Sequence, residues 1–560
     1  MQKILRVMII IAMLITAYLL ILAWRDDYAD APAVEATPTA STSVSADIPS
    51  TTGAAGDIPV QTAPIDNSVV TTTSPKETGL ISVTTDRYDI KIDPEGGDIV
   101  YAALKQYDAT LDSEDAFVLL ENNSNRVYVA QSGLIGQNGI DTAEGRASYS
   151  HTANSYEMTE GQQTLSVPLT YQKDGVTITK TYTFSADKYP IDVSYQIQNQ
   201  SAQPWQGQLF AQLKRDDSKD PGMSDKWALS MATYLVGAWG TPDDPYNKLK
   251  FGNFNDGDLT VSSDKGWVGI VQHYFVSAWT PENFTGQFFS RESGSDYFIG
   301  FNSQPINIAA NKQLTLDATL YAGPKVQSEL KDVAVGLNQT VDYGLLWPIS
   351  KILFAILDGI HKILGNWGWS IIILTILVKI SLMWFSNKSY YSMAKMRALA
   401  PRLAALKEEH GDDRMKMSQE MMGIYKEEKV NPMAGCLPIL MQMPIFLALY
   451  WVLVESVELR HAPWILWIQD LSAMDPWFIL PLLMGVSMFI QQQLNPQPAD
   501  PMQAKVMKFL PIIFTAFMLF FPAGLVLYWT VNNLFSMTQQ YIVNKKVEEE
   551  QKKRTVKVLS

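Results

Sequence analysis

Cysteine is nearly absent. The 560 residues contain one, Cys436, and it lies in an apolar segment. No internal disulfide and no thiolate metal cluster can form, and a lone apolar cysteine is ordinarily a small packing residue. His151 and His273 stand isolated, without metal-ligand spacing, and the chain carries neither a nucleophile motif nor a glycine-rich phosphate loop. Catalytic residues, metals and cofactors are therefore not expected. Positive charge is also in deficit: 44 Lys+Arg against 57 Asp+Glu give a formal charge of −13, which argues against a general or specific nucleic-acid binder. Acid is missing in another place. No Asp or Glu falls in the middle of any long apolar run, and the runs do not repeat as two halves. An ion-coupled transporter would more often show both.

Long apolar runs, by contrast, are plentiful. Trp367 to Phe385 reads WGWSIIILTILVKISLMWF, about long enough to cross a bilayer as a helix. Lys379 interrupts it, and Thr375 lies one turn earlier on the same face. A lysine at such depth costs on the order of 3 kcal/mol on insertion scales. Either it snorkels to the headgroups, or it faces protein or a water-filled cavity.

Lys3 and Arg6 precede an apolar run from Val7 to Trp24. It is longer than a usual signal h-region, and Pro32 follows the only small-residue site, Ala29-Asp30-Ala31, so residues 1–24 read as an uncleaved anchor. Residues 25–79 are Ala, Thr, Ser, Pro and Val with few large apolar side chains, and read as a disordered tether.

From Leu80 the period changes to two. Ile191, Val193, Tyr195 and Ile197 alternate with polar residues, as do Leu314, Leu316, Ala318 and Leu320. Val176, Ile178, Tyr182 and Phe184 do the same with Lys180 interrupting. Many such strands split by Gly, Asn and Asp turns predict an antiparallel sandwich, residues 80–340 including a short helix near Pro324 to Leu337. In residues 341–365, Ile349, Ile352, Leu353, Ile356, Ile360 and Ile363 form one stripe. This predicts an amphipathic helix, either lying in the membrane interface or packed on the sandwich.

Residues 387–431 predict a helical hairpin. Met396, Leu399, Leu403 and Leu406 form one stripe, and Met417, Met421, Ile424 and Tyr425 the facing one. Gly411 and Asp412 suit the caps at its tip. Met-rich surfaces can also repack around varied partners. Four more apolar segments follow: Met433 to Val454, Pro476 to Ile490, Phe509 to Phe521, and Leu525 to Val543, the last two joined by Pro522-Ala523-Gly524. With the anchor and the Lys379 span they make six. The short, proline-containing segments suggest local bilayer thinning. Basic residues crowd residues 387–431 and the tail, 544–560, whereas Glu455, Glu458, Asp470 and Asp475 mark the loop between spans three and four. Both termini are thus expected inside and the sandwich outside.

Several stretches now resemble a known family. SMAKMRALAP (392–401), SQEMM (418–422), YKEEKVNPMAGCLPILMQMPIFLALY (425–450), ILPLLMGVSMF (479–489) and FPAGLVLYW (521–529) are similar to the YidC-type membrane protein insertases of Gram-negative bacteria, the YidC/Oxa/Alb family. The resemblance is most specific over Trp347 to Val543. It implies an insertase core, residues 366–543, with a hydrophilic groove, a cytoplasmic hairpin and a periplasmic supersandwich similar to sugar mutarotases. It also implies insertion of inner-membrane proteins without nucleotide hydrolysis, alone or beside the Sec translocon. The family's groove charge is usually arginine. Lys379 stands at the matching position, keeping the charge but not the planar fork. Thr375 matches a groove position. Phe446, Met484, Phe517 and Trp529 match the family's greasy substrate slide, with Tyr528 adjacent.

The reading is therefore a multi-pass insertase and chaperone of the bacterial inner membrane, not an enzyme. Its expected partners are nascent membrane proteins, the Sec translocon, membrane lipids and, through the basic tail and cytoplasmic loops, the ribosome. The rival reading is a membrane-anchored envelope protein whose sugar-binding-like sandwich carries the function.

Overall fold

The structure, a computed structural model, describes residue 58 and residues 79–559, except 112, 222–234, 256–258, 260, 410–413, 429, 431–436 and 496–500. The anchor, nearly all of the tether and the hairpin tip at Gly411 lie outside the described residues.

Strands run from Ile81 to Pro324 in two sheets, one of eleven strands and one of nine, nearly all pairings antiparallel. The period-two pattern shows why. Ile191, Val193, Tyr195 and Ile197 point inward and are essentially inaccessible, while Asp192 between them is exposed. Their strand, Pro190–Asn199, pairs with Val176–Ser185 on one side and Lys312–Pro324 on the other. Leu314 departs from the expected alternation: it is exposed, as are all of the first four residues of its strand.

The interruption at Lys180 is a lysine in the core. Its Nζ donates to the carbonyls of Gly97 (2.7 Å), Ser132 (3.1 Å) and Gly96 (3.2 Å), and the rings of Tyr182 and Tyr195 flank it. Three N–H donors thus meet three acceptors. Beside it Asp98 is bridged by Arg146 at 2.6 Å. Gly97, at φ 62°, makes the turn that brings these carbonyls in; a Cβ there would crowd the lysine's own Cδ and Nζ.

The sandwich rests directly on the helical part. After helix α1 (Gln327–Val333) the chain enters α2 (Trp347–Leu364), α3 (Trp367–Ser381), α4 (Met383–Ala398), α5 (Ala400–Glu409), α6 (Arg414–Glu427) and α7 (Leu437–Glu455). Then come α8 (Ile479–Leu494), α9 (Pro501–Met518) and α10 (Ala523–Leu559). At the junction, buried Lys325 bridges Glu455 at the end of α7 (3.1 Å), and His273 Nε2–H donates to the Val454 carbonyl (2.8 Å). Arg460 donates to the carbonyls of Asp108 and Ala109 and lies over the rings of Phe117 and Phe275. Burial, reinforced by the Lys325 charge, pushes the His273 imidazole down to about 3, and burial raises the Glu458 carboxyl to about 7.

Helix bounds differ from the expected segments. The Trp367–Phe385 run is not one helix: it ends at Ser381, and α4 leaves at 68°. The Ser381 hydroxyl donates to the Val378 carbonyl, which also receives the Leu382 N–H, a competition that bends helices. The hairpin 387–431 does not begin at 387, since α4 packs on α7 and α10; only α5 and α6 stand as its arms. The Phe509 segment belongs to a longer helix, α9, with Pro511 inside it. The residues expected as the basic tail are helical, since α10 runs unbroken through residue 559. No Gly or Pro follows Gly524, so nothing in the sequence stops it.

The apolar stripe of α2 is split. Ser350, Leu353 and Leu357 are buried, while Ile352, Ile356 and Ile363 are exposed. The Ser350 hydroxyl donates to the Ala448 carbonyl of α7, and that bond fixes which side packs. The packing partners are α3 and α7 rather than the sandwich. Among the described residues, Gly344–Leu364 is the one helix long and apolar enough to cross a membrane alone; the bent α3–α4 pair passes jointly. Leu440–Glu455 and Ile479–Leu494 are apolar but shorter. The six spans expected are thus not established by length and composition.

Candidate functional site

Lys379 sits in the last turn of α3, and its side chain runs inward toward α10. It is 5% exposed. Its Nζ donates to Ser536 Oγ on α10 at 2.7 Å, and the Phe535 ring lies 6.0 Å away. Among the described residues no salt bridge involves it and Ser536 is its one hydrogen-bond partner, so two of its three N–H groups have no acceptor there. Lys379 also lines a small cleft with Leu382, Phe385, Ser386, Leu437, Pro438, Met441 and Gln442, where the α3–α4 bend meets the start of α7.

Thr375 lies on the same face and is inaccessible, but its hydroxyl donates to the Ile371 carbonyl of its own helix at 2.7 Å. It lines the helix interface without offering a polar group to the cleft. Gln442 hydrogen-bonds the hydroxyl of Tyr528, which is buried. Of the residues matched to the slide, Phe446 and Trp529 meet edge to face at 4.8 Å, and Phe514 links Trp529 to Phe517 and so to Phe521. Phe517 is half exposed. Met484 is fully buried between helices and outside this aromatic row. In the hairpin, Leu406, Ile424 and Tyr425 are buried where α5 and α6 meet, with Met417 and Met421 half-buried.

A polar seam on α10 was only partly legible. Asn532 and Asn533 stand out in the sequence; Ser536, Gln539 and Gln540 continue them at helical spacing. Asn533 donates to Ser487 Oγ of α8, Gln539 to the Met383 carbonyl and Asn387, and Gln540 to the Leu494 carbonyl and Asn495. The side-chain oxygens of Asn532, Gln539 and Gln540 are buried without a hydrogen-bond partner. The i, i+4, i+7 repeat from Asn532 was the available signal.

The arrangement sets one hydroxyl against one ammonium, and that hydroxyl donates to the Asn532 carbonyl of its own helix. It has a desolvated cation, spare donors and acceptors, and an aromatic row. Comparison with known proteins gives these features a setting. The family model for the YidC periplasmic domain matches residues 80–356, and that for the 60Kd inner membrane protein matches residues 359–551. A membrane protein insertase YidC from Stutzerimonas stutzeri (strain A1501) is 51% identical over 550 residues, 97% of this chain and 98% of its own. The chain belongs to the YidC family. Its counterpart in Pseudomonas fluorescens (strain SBW25) is 49% identical over 561 residues, again 97% and 98% of the two chains. A solved YidC insertase structure with its first transmembrane domain resolved aligns at TM-score 0.36 and 18% identity, covering 83% of this chain and 92% of that one. The sandwich is therefore the YidC periplasmic domain, and the cleft lies within the YidC membrane region.

Proposed function

We propose that the protein inserts and helps fold inner-membrane proteins, and that Lys379 is the charge its clients meet in the groove. One observation carries the reading: a buried ammonium with a single hydrogen bond among the described residues, lining a cleft where the α3–α4 bend meets the start of α7. A client segment with a short acidic tail enters this cleft. At an effective dielectric near 20 a carboxylate about 4 Å from the ammonium gains about 4 kcal/mol, which offsets the roughly 3 kcal/mol that an aspartate costs in the bilayer. The apolar part of the client then leaves along the face marked by Phe446, Phe517 and Trp529, with Met484, Tyr528 and Thr375 holding that face in shape. No nucleotide or cofactor takes part. Clients arrive alone, from the Sec translocon, or from a ribosome held weakly by the basic tail. Met417, Met421 and Tyr425 brace the cytoplasmic hairpin.

In this reading α3, α7, α8, α9 and α10 span the membrane with the N-terminal anchor, and α2 lies in the outer interface with Ile352, Ile356 and Ile363 toward lipid. Both termini are cytoplasmic. The topology is tested with Gly411→Cys: an impermeant reagent should label it in inverted vesicles and not in intact spheroplasts, and the opposite result overturns the orientation. The groove is tested with Lys379→Ala in cells depleted of the native protein. The variant should accumulate normally yet insert a single-span client with an acidic exported tail at least about tenfold less well, the equivalent of about 1.4 kcal/mol. The same client without tail acids should be little affected. Equal insertion of the acidic client by variant and parent would leave snorkelling as the better account.

A further inference from the structure

The geometry points to Ser536 as a positioning residue: its hydroxyl holds the Lys379 ammonium against α10 so that the remaining N–H groups face the cleft. This rests on the reading of Lys379 as the groove charge.

A serine hydroxyl has one donor and two acceptor sites. The donor of Ser536 is committed to the Asn532 carbonyl one turn back, at 2.7 Å, which fixes the rotor and turns both lone pairs away from its own helix. Lys379 Nζ takes one of them at 2.7 Å, within the range of a charge-assisted hydrogen bond. Tyr390 of α4, itself buried, lies against the same hydroxyl. The oxygen is thus enclosed by groups from three helices, and its own exposure is 3%.

A lysine needs such an anchor here. Its stem has four rotatable bonds, and α3 ends two residues beyond it, where the chain turns by 68°. Without an acceptor on α10 the ammonium could swing past this bend toward the headgroups, the usual escape for a lysine near a helix end. Among the described residues no other acceptor holds it back. The Phe535 ring, at 6.0 Å, is at the outer limit of a cation–π contact. Ser487 of α8 offers a contrast: it also donates to a carbonyl of its own helix, Met484, but accepts from the neutral amide of Asn533. It joins two helices without touching the charge.

The test uses the full-length protein in depleted cells, with single-span clients that carry or lack aspartates in the exported tail. Ser536→Ala should reduce insertion of the acidic client roughly tenfold, the size of one hydrogen bond to a charged group, and leave the neutral client near the parent level. Ser536→Thr should restore the acidic client, and Ser536→Cys, which keeps the volume but accepts weakly, should behave like Ala if Ala accumulates poorly. In a Lys379→Ala background Ser536→Ala should add nothing. Ser487→Ala should affect both clients alike. If Lys379→Ala discriminates between clients while Ser536→Ala lowers both equally, or adds to Lys379→Ala, then Ser536 merely packs the helices and this inference falls alone. If Lys379→Ala does not discriminate, the groove reading fails and takes this one with it.

Discussion

Two buried lysines, one in each half of the molecule, have opposite surroundings. Lys180 in the periplasmic domain has every N–H matched by a carbonyl, two aromatic faces beside it and the Asp98–Arg146 pair next to it. Lys379 in the helical core has one hydroxyl and a cleft. A fully compensated buried charge ties chain segments together, here a glycine turn to a strand more than eighty residues away. Lys379 joins α3 to α10 through one hydrogen bond and keeps two donors without an acceptor among the described residues. The residue type is the same and both are buried; the count of acceptors differs.

The contrast can be broken or sharpened by removing charges in turn. Lys180→Met should have the largest effect on stability. It strands carbonyls at the Gly96–Gly97 turn and leaves Asp98 short of a neighbour, for about 3–5 kcal/mol lost from the sandwich. Thermal or denaturant unfolding of the purified protein checks it, and insertion should not discriminate between clients in what folded protein remains. A loss under about 1 kcal/mol would make Lys180 as loosely held as Lys379. Arg460→Ala, at the seam between the halves, should cost about 1–2 kcal/mol through two carbonyl hydrogen bonds and two ring contacts. Its signature is faster hydrogen exchange near Asp108 and Phe117 with the rest of the sandwich unchanged; uniform acceleration would contradict a local role. Lys379→Met should be the mildest for stability. One hydrogen bond is lost, an unpaired charge leaves an apolar setting, and the net change in unfolding should be within about 1 kcal/mol of zero. A large loss would show that the core needs this lysine for packing.

The sequence carried unequal amounts of this. The sandwich was legible because a period of two reports burial directly, as at Ile191 to Ile197. Lys180 was visible as a break in that period, but its meaning depends on carbonyls of distant residues, which sequence spacing does not disclose. Hydropathy located the apolar segments yet mistook their ends. The bend after Ser381 carries no proline or glycine, and the continuation of the last helix is written in residues that suit either a solvated tail or a helix surface. Lys379 was legible as a cation inside an apolar run, with no acid in the middle of any other run. Ser536 was not, since a serine among apolar residues has no sign of its own until the facing helix is known. Thr375 and Met484 show the converse: the resemblance points to both, yet Thr375 bonds a carbonyl of its own helix and Met484 is buried between helices.

The last helix has a mechanical consequence. Its 37 residues amount to about 55 Å at 1.5 Å per residue, well beyond the roughly 30 Å of a hydrocarbon core. At its near end the turn before it is pinned, the Ala523 and Gly524 N–H groups donating to the carbonyls of Ala473 and Leu471. Clamped there, and braced again where Tyr391 of α4 donates to Glu550, the helix is a stiff beam. Sideways load on its far end meets no break in the helix, which is continuous from Ala523 to Leu559; the load passes along the length to the wall that carries Asn532 and Ser536.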